Sequence, residues 1–259
     1  MKYKQLLLVL GIIICGACSK ADDLINVENS VNQAANRKAT GSSANDLLSD
    51  VTFTNMIIEV VYVEGFEPSQ TSIINLKSFL EQRVHKPGGI IIEKRAIPSP
   101  NQTKYSIQDI SEIEKKHRKH YNTKNRIAVW AYFSDGKSDK DSEAAETVVL
   151  GTAYWNTSFV IFQETISNFT NSPFKPSRSL LETTVLTHEF GHILGLTNLG
   201  SPMQVNHEDD THSKHCEEEN CLMYWKSSSG AGIFNMVNKS TAPKFDANCI
   251  ADLRTNGGK

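Results

Sequence analysis

Apolar residues run almost without a break from Met56 to Val63, and a stretch so rich in β-branched side chains suits a strand buried on both faces. The period then becomes helical, with Ile73, Leu76, Phe79 and Leu80 sharing one face between about Ser72 and Val84. Gly88 and Gly89 lead into a second strand at Ile90 to Ile92. Ser106 and Asp109 have the spacing of a capping box, and the helix they open ends in a charge run, Lys115, Lys116, Arg118 and Lys119, that reads as a solvated face matched to the helix dipole. Ile127 to Phe133 makes a third strand. This β-α-β-α-β order predicts a parallel sheet with right-handed crossovers. Ser134 to Glu146 is polar enough to be a surface loop, and two more β-rich runs follow, Thr147 to Trp155 and Ser158 to Phe162. A loop at Ser172 to Pro176 precedes a long helix, and a last helix is expected at about Pro243 to Thr255.

The long helix carries the chemistry. In Ser179 to Leu196, the residues Leu181, Val185, His188, His192 and Gly195 form one stripe, while Leu186, Phe190, Ile193 and Leu194 make most of the remaining surface apolar. Such a helix belongs inside a domain, where two histidines need partners. Ser177 or Ser179 can cap its start, and Gly195 can end it in a left-handed turn. At 3.6 residues per turn His188 and His192 stand one above the other, close enough to bind one ion, and Glu189 lies near enough to hold a water on that ion without replacing it. Two nitrogen ligands, an open position and a carboxylate that takes a proton fit a hydrolytic zinc site.

The residues HEFGHILG at 188–195, followed by His215, Cys216, Cys221 and Met223, resemble the metzincin clan of zinc peptidases, and their spacing is most similar to the archaemetzincins. The resemblance implies an α+β, zincin-like fold: a twisted, mostly parallel sheet with packed helices, the HExxH active-site helix, and a Met-turn at Leu222 to Trp225 whose Met223 forms a floor under the metal. It implies Glu189 as the catalytic base and His188, His192 and His215 as zinc ligands. The family places its third histidine three residues after the glycine, where this chain has Asn198, so Leu196 to Lys214 would be an insertion. That insertion contains His207 and His212, which compete with His215 for the third position. The family's second zinc, held on four cysteines, maps onto Cys216, Cys221 and Cys249, with Asp246 in place of the fourth. A disulfide between two of the three thiols is the other reading. The resemblance also implies that one of the two late β runs is an edge strand able to pair with extended substrate.

Composition narrows the setting. With 259 residues, 39% of them hydrophobic, the chain can bury one good core, and a formal net charge of -2 offers no basic field for nucleic acid. Lys2 and Lys4, an apolar run from Leu6 to Ile14, and small residues before Cys18 make a secretory signal too short to span a membrane. Gly16, Ala17 and Cys18 resemble a bacterial lipobox, which makes Cys18 the lipidation site. Residues 1–17 are then a lipoprotein signal peptide, 18–50 a flexible tether without sustained apolar period, and 51–259 the metallopeptidase domain. The chain reads as a zinc-dependent endopeptidase of the bacterial cell envelope, an outer-membrane lipoprotein whose partners are peptide or protein substrates and, through its lipid, the membrane. The alternative is a surface-anchored binding lipoprotein with a structural zinc and no proteolytic activity.

Overall fold

Strand and helix alternate in the computed structural model much as the apolar periods predict; it describes residues 32–142, 147–170, 175–236 and 240–259. In chain order the elements are α1 (Ala44–Leu48), β1 (Asn55–Val63), α2 (Gln70–Glu81), β2 (Ile90–Ile97), β3 (Lys104–Tyr105), α3 (Ile107–His117), β4 (Arg126–Phe133), β5 (Lys137–Ser138), β6 (Gly151–Trp155), β7 (Ser158–Ile161), α4 (Gln163–Thr170), α5 (Arg178–Ile193) and α6 (Ala247–Thr255). The expected signal peptide and Cys18 lie outside the described residues.

The main sheet has the order β2-β1-β4-β7-β6. β1 pairs in parallel with β2 and β4, β7 joins β4 in parallel, and β6 closes the sheet as an antiparallel edge. Side chains alternate across the central strand, so Ile127, Val129, Ala131 and Phe133 point to one face and Trp130 and Tyr132 to the other. The first face packs on α2 and α5 through Ile73, Leu76, Leu181, Val185 and Phe190. The second is covered by Tyr105 and by Ile110 of α3. Both faces are therefore apolar, which is why the strands read as continuous hydrophobic runs. Glu59 is the polar intruder in β1. Its carboxylate pairs with Arg95 at 2.5 Å and accepts the backbone N–H groups of Lys119 and His120.

Three sequence expectations need correction. Residues 32–50 do not form a tether. Asn36 is fully buried, with its side-chain amide donating to Asn122 Oδ1, the Ala128 carbonyl and Thr157 Oγ1, and Leu47 and Leu48 enter the main core. A segment rich in Asn and Ser looks disordered by composition, but here those amides are used as brackets across the ends of β4 and β7. Arg118, expected on a solvated face, is fully buried against Glu114 at 2.6 Å and also bonds the carbonyls of Ala128 and His120. Helix α4 lies where no helical period was read, because it spans only two turns.

Lys86 ties the opening segment to the domain. Its ammonium is nearly buried, donates to the carbonyls of Asp46, Ser49 and Phe53, and is pushed down to about 8 by burial. Replacing it by methionine keeps the stem and leaves those carbonyls without a donor. Lys86→Met is expected to lose about 3 kcal/mol in urea unfolding; a loss under about 1 kcal/mol would mean that water replaces the ammonium.

Candidate metal centre

Every residue of α5 from Leu180 to Ile193 is buried, so the polar side chains of this helix must find partners inside the protein. Ser177 caps it, accepting the Leu180 N–H. The hydroxyls of Thr183, Thr184 and Thr187 donate to carbonyls one turn back, and Glu182 accepts from Arg178, Gln163 and the backbone of Ser69. The histidines differ. His188 Nδ1 meets the Leu222 carbonyl at 2.7 Å, and because a carbonyl only accepts, the proton sits on Nδ1 and the lone pair on Nε2. His188 Nε2 and His192 Nδ1 are buried without a hydrogen-bond partner among the described residues.

The structure brings His215 to these two. Ring centroids are 4.8 Å apart for His188 and His192, 5.3 Å for His188 and His215, and 5.1 Å for His192 and His215. One nitrogen from each ring lies within 4.8 Å of the others. Nitrogens around a tetrahedral zinc stand about 3.4 Å apart, so a small inward rotation closes the set on an ion. The buried, unpartnered nitrogen and the three neutral imidazoles fit a zinc ion.

The path of the chain to His215 depends on backbone few residues adopt. Gly195 has φ +81°, and a Cβ there would stand 2.5 Å from the Ser201 nitrogen. Thr197 and Asn198 follow in left-handed conformation, and Lys214 is left-handed immediately before His215. The Thr197 hydroxyl bonds the Lys214 carbonyl, so the insertion leaves and returns at adjacent points. Asn198 instead bonds Glu208. His212 stacks on Trp225 at 4.1 Å and pairs with Asp209, and His207 belongs to a different cluster. Met223 lies against α5 at Gly191, where a Cβ would come within 2.3 Å of its sulfur.

Glu189 is buried between α5 and the edge strand. A Cβ on Gly151 of β6 would stand 2.8 Å from the Glu189 carboxyl, so that glycine makes room for it. Burial pushes its pKa up to about 8, partly opposed by the Ala153 N–H. Burial also holds His188 down to about 3, with His215 adding to the effect, and holds His192 well below the ordinary imidazole value. A cleft of about 540 Å³ runs along Gly151 to Ala153, with Glu189, His192 and His215 in its wall. Upstream, Leu150 donates to the Ser228 carbonyl and Gly230 to that of Val148, and this short pairing forms one end of the cleft wall.

A second cluster lies behind the first. Cys216, Cys221 and Cys249 are buried free thiols, not a disulfide, with the Cys221 and Cys249 sulfurs 3.6 Å apart. The Asp246 carboxylate is 3.7 Å from Cys216 Sγ and 3.6 Å from Cys221 Sγ, as the cysteine spacing of the resembled family implies. His207, which that spacing did not assign here, places Nδ1 3.3 Å from Cys216 Sγ. An antiparallel bridge between Glu208 and Cys216 brings it in, a pairing with no local signal in the sequence.

No protein-family model matches the chain, and no curated protein sequence matches it. Among solved structures, archaemetzincin from Methanopyrus kandleri superposes with a TM-score of 0.51 at 17% identity, over 78% of this chain and 96% of that one. The chain has the archaemetzincin fold. Metalloproteinase-II from Bacteroides fragilis aligns over 81% of this chain and 54% of its own, with 13% identity and a TM-score of 0.44. Within the archaemetzincin fold, the mixed α/β core with its mostly parallel sheet is thus shared at low identity.

The pKa shifts of the metal-free protein have opposite consequences. Between about 4.5 and 8 folded Glu189 keeps a proton that the unfolded chain releases, so its contribution falls as pH rises. Between 6.5 and about 3 the unfolded chain protonates His188 while the folded one does not, so that contribution falls as pH drops. In the presence of a chelator, Glu189→Gln is expected to gain on the wild type by up to about 1.4 kcal/mol per pH unit across the first window. His188→Gln should gain across the second. Urea unfolding curves from pH 4 to 9 test both, and parallel stability profiles would contradict the burial effect.

Proposed function

We propose that this chain is a zinc-dependent endopeptidase with His188, His192 and His215 as ligands and Glu189 as general base. The observation that carries the reading is a buried carboxyl beside three converging imidazoles, two of them with an unpartnered nitrogen among the described residues, opening on a cleft along an edge strand. A site built only to hold the fold has no use for that carboxyl or for the cleft.

A zinc ion bound there supplies Lewis acidity, lowering the pKa of a water and polarising a carbonyl. The edge of β6 holds an extended peptide by main-chain hydrogen bonds, which favours substrates by backbone rather than by one side chain. Glu189 takes the proton of the attacking water as its oxygen bonds to the scissile carbon. When the C–N bond breaks, the same carboxyl gives that proton to the leaving amine. Burial beneath β6 raises this carboxyl in the metal-free protein, and a cation held by the three imidazoles would lower it again, so that it accepts the proton as a carboxylate and returns it to the amine. Met223, set against Gly191, acts as the floor of the metal site, and the Leu222 carbonyl keeps His188 in the ligating tautomer.

The thiol cluster is read as a second zinc site, which staples the segment bearing His215. At the other end of the chain, Cys18 is proposed to carry a lipid that anchors the protein in a bacterial envelope, a reading supported by residues 2–18 alone.

Glu189→Ala is expected to retain zinc at the histidines while peptide hydrolysis falls roughly a thousandfold. Digestion of a mixed peptide library, with and without chelator and with zinc content measured alongside, checks it by mass spectrometry of the cleavage sites. Equal cleavage by wild type and variant would remove Glu189 from the mechanism.

A further inference from the structure

We infer that His207, contributed by the insertion, is the fourth ligand of the second zinc in place of Asp246, and that Asp252 is the positioning residue that holds its ring. The inference rests on the second zinc proposed above and names a ligand that the cysteine spacing does not.

The thiols themselves are prepared for an ion. Cys221 Sγ receives the backbone N–H groups of Met223 and Asp246, both at 3.4 Å. Two N–H donors aimed at one buried sulfur would share the charge of a sulfur that holds an ion. Three thiolates occupy three positions of a tetrahedral site and leave one.

Two residues compete for that position. Asp246 is only half-buried, and one of its oxygens is already engaged: Oδ1 accepts the Cys249 N–H at 2.8 Å as the N-cap of α6. His207 is buried, with Nδ1 at the Cys216 sulfur and Nε2 2.8 Å from Asp252 Oδ2. Asp252 is fully buried as well, and its other oxygen accepts the Gln204 N–H at 2.7 Å. A carboxylate facing Nε2 keeps a proton there and leaves the Nδ1 lone pair at the Cys216 sulfur, which is the usual support for a ligating histidine. The ligand atoms of His207, Cys216, Cys249 and Asp246 all lie within 4.8 Å of one another. Charge favours the same choice. Three thiolates and an aspartate leave a net charge of about -2 on a divalent ion, whereas three thiolates and a neutral imidazole leave about -1, and buried excess charge is costly.

The backbone delivers His207 by a short antiparallel pairing. The Glu217 N–H donates to the His207 carbonyl, and the Asp209 N–H to that of His215. The ligand from the insertion and the segment carrying His215 are thus laced together before any ion is added.

Zinc content of the full-length protein, together with the cobalt-substituted absorption spectrum, separates the possibilities. The wild type is expected to hold two zinc ions, Asp246→Asn two, and His207→Ala one. His207→Cys should restore the second ion, with a stronger thiolate-to-cobalt charge-transfer band, and it decides the matter if His207→Ala does not fold. Asp252→Asn should keep the fold and weaken the second ion at least tenfold in competition with a chelator. The assignment is overturned if His207→Ala keeps two ions while Asp246→Asn loses one, or if His207→Cys leaves the cobalt spectrum of the wild type unchanged. A wild type holding one ion, with unprotected thiols, would instead overturn the second zinc itself, and the ligand assignment with it.

Discussion

The hydrogen bond from His188 Nδ1 to the Leu222 carbonyl is the contact on which both clusters depend. It leaves Nε2 of a fully buried ring with a lone pair and no partner among the described residues, and it does so through a residue that stands between Cys221 and Met223. Moving that carbonyl would disturb the imidazole tautomer, the thiol beside it and the thioether that packs on Gly191. A chain segment of three residues therefore couples α5 to everything downstream. Burial makes the arrangement strict, because an imidazole in the core has no water to fall back on.

Helix α5 shows how local order serves this contact. It is apolar enough to bury on all sides, and its threonines and Glu182 satisfy themselves with nearby groups, so the unmet bonding capacity on it collects at the histidines. Gly191 and Gly151 act as absences: one admits the Met223 sulfur against α5, the other admits the Glu189 carboxyl beneath β6. Neither would be recognised as functional from its own conformation. Each matters for the atom it lacks.

Much of this was legible in the chain because the signals are local. The spacing of His188, Glu189 and His192, the capping residues Ser106 and Ser177, the glycine turn at 195 and the apolar runs of β1 and β4 all act within a few residues, and the structure keeps them. The edge position of β6 and the approach of His215 follow the resemblance. What was misread depends on distant partners. Asn36 looks like disorder until Ala128 and Thr157 are placed beside it, Arg118 looks solvated until Glu114 is buried with it, and His207 is indistinguishable from His212 until residues 207–209 pair with 215–217. Composition cannot reveal burial that the fold brings in: the carboxylate partner of Arg118 is one turn away, but the guanidinium is covered by Thr157 and Ser158 from another part of the chain.

The insertion also has a hairpin tip. Its base is closed where the Asp209 N–H meets the His215 carbonyl, and Thr211 to Ser213 project from that base onto the rim of the cleft, with His212 flat against Trp225. His215 is held from both sides of that base: its carbonyl accepts the Asp209 N–H, its own backbone N–H donates to the His212 carbonyl, and its ring Nδ1 meets the Ser213 carbonyl at 3.1 Å. The tip is therefore tied to the imidazole that follows it: exchanging those few residues would reshape the rim of the cleft and also move the carbonyls that fix the backbone and ring of His215.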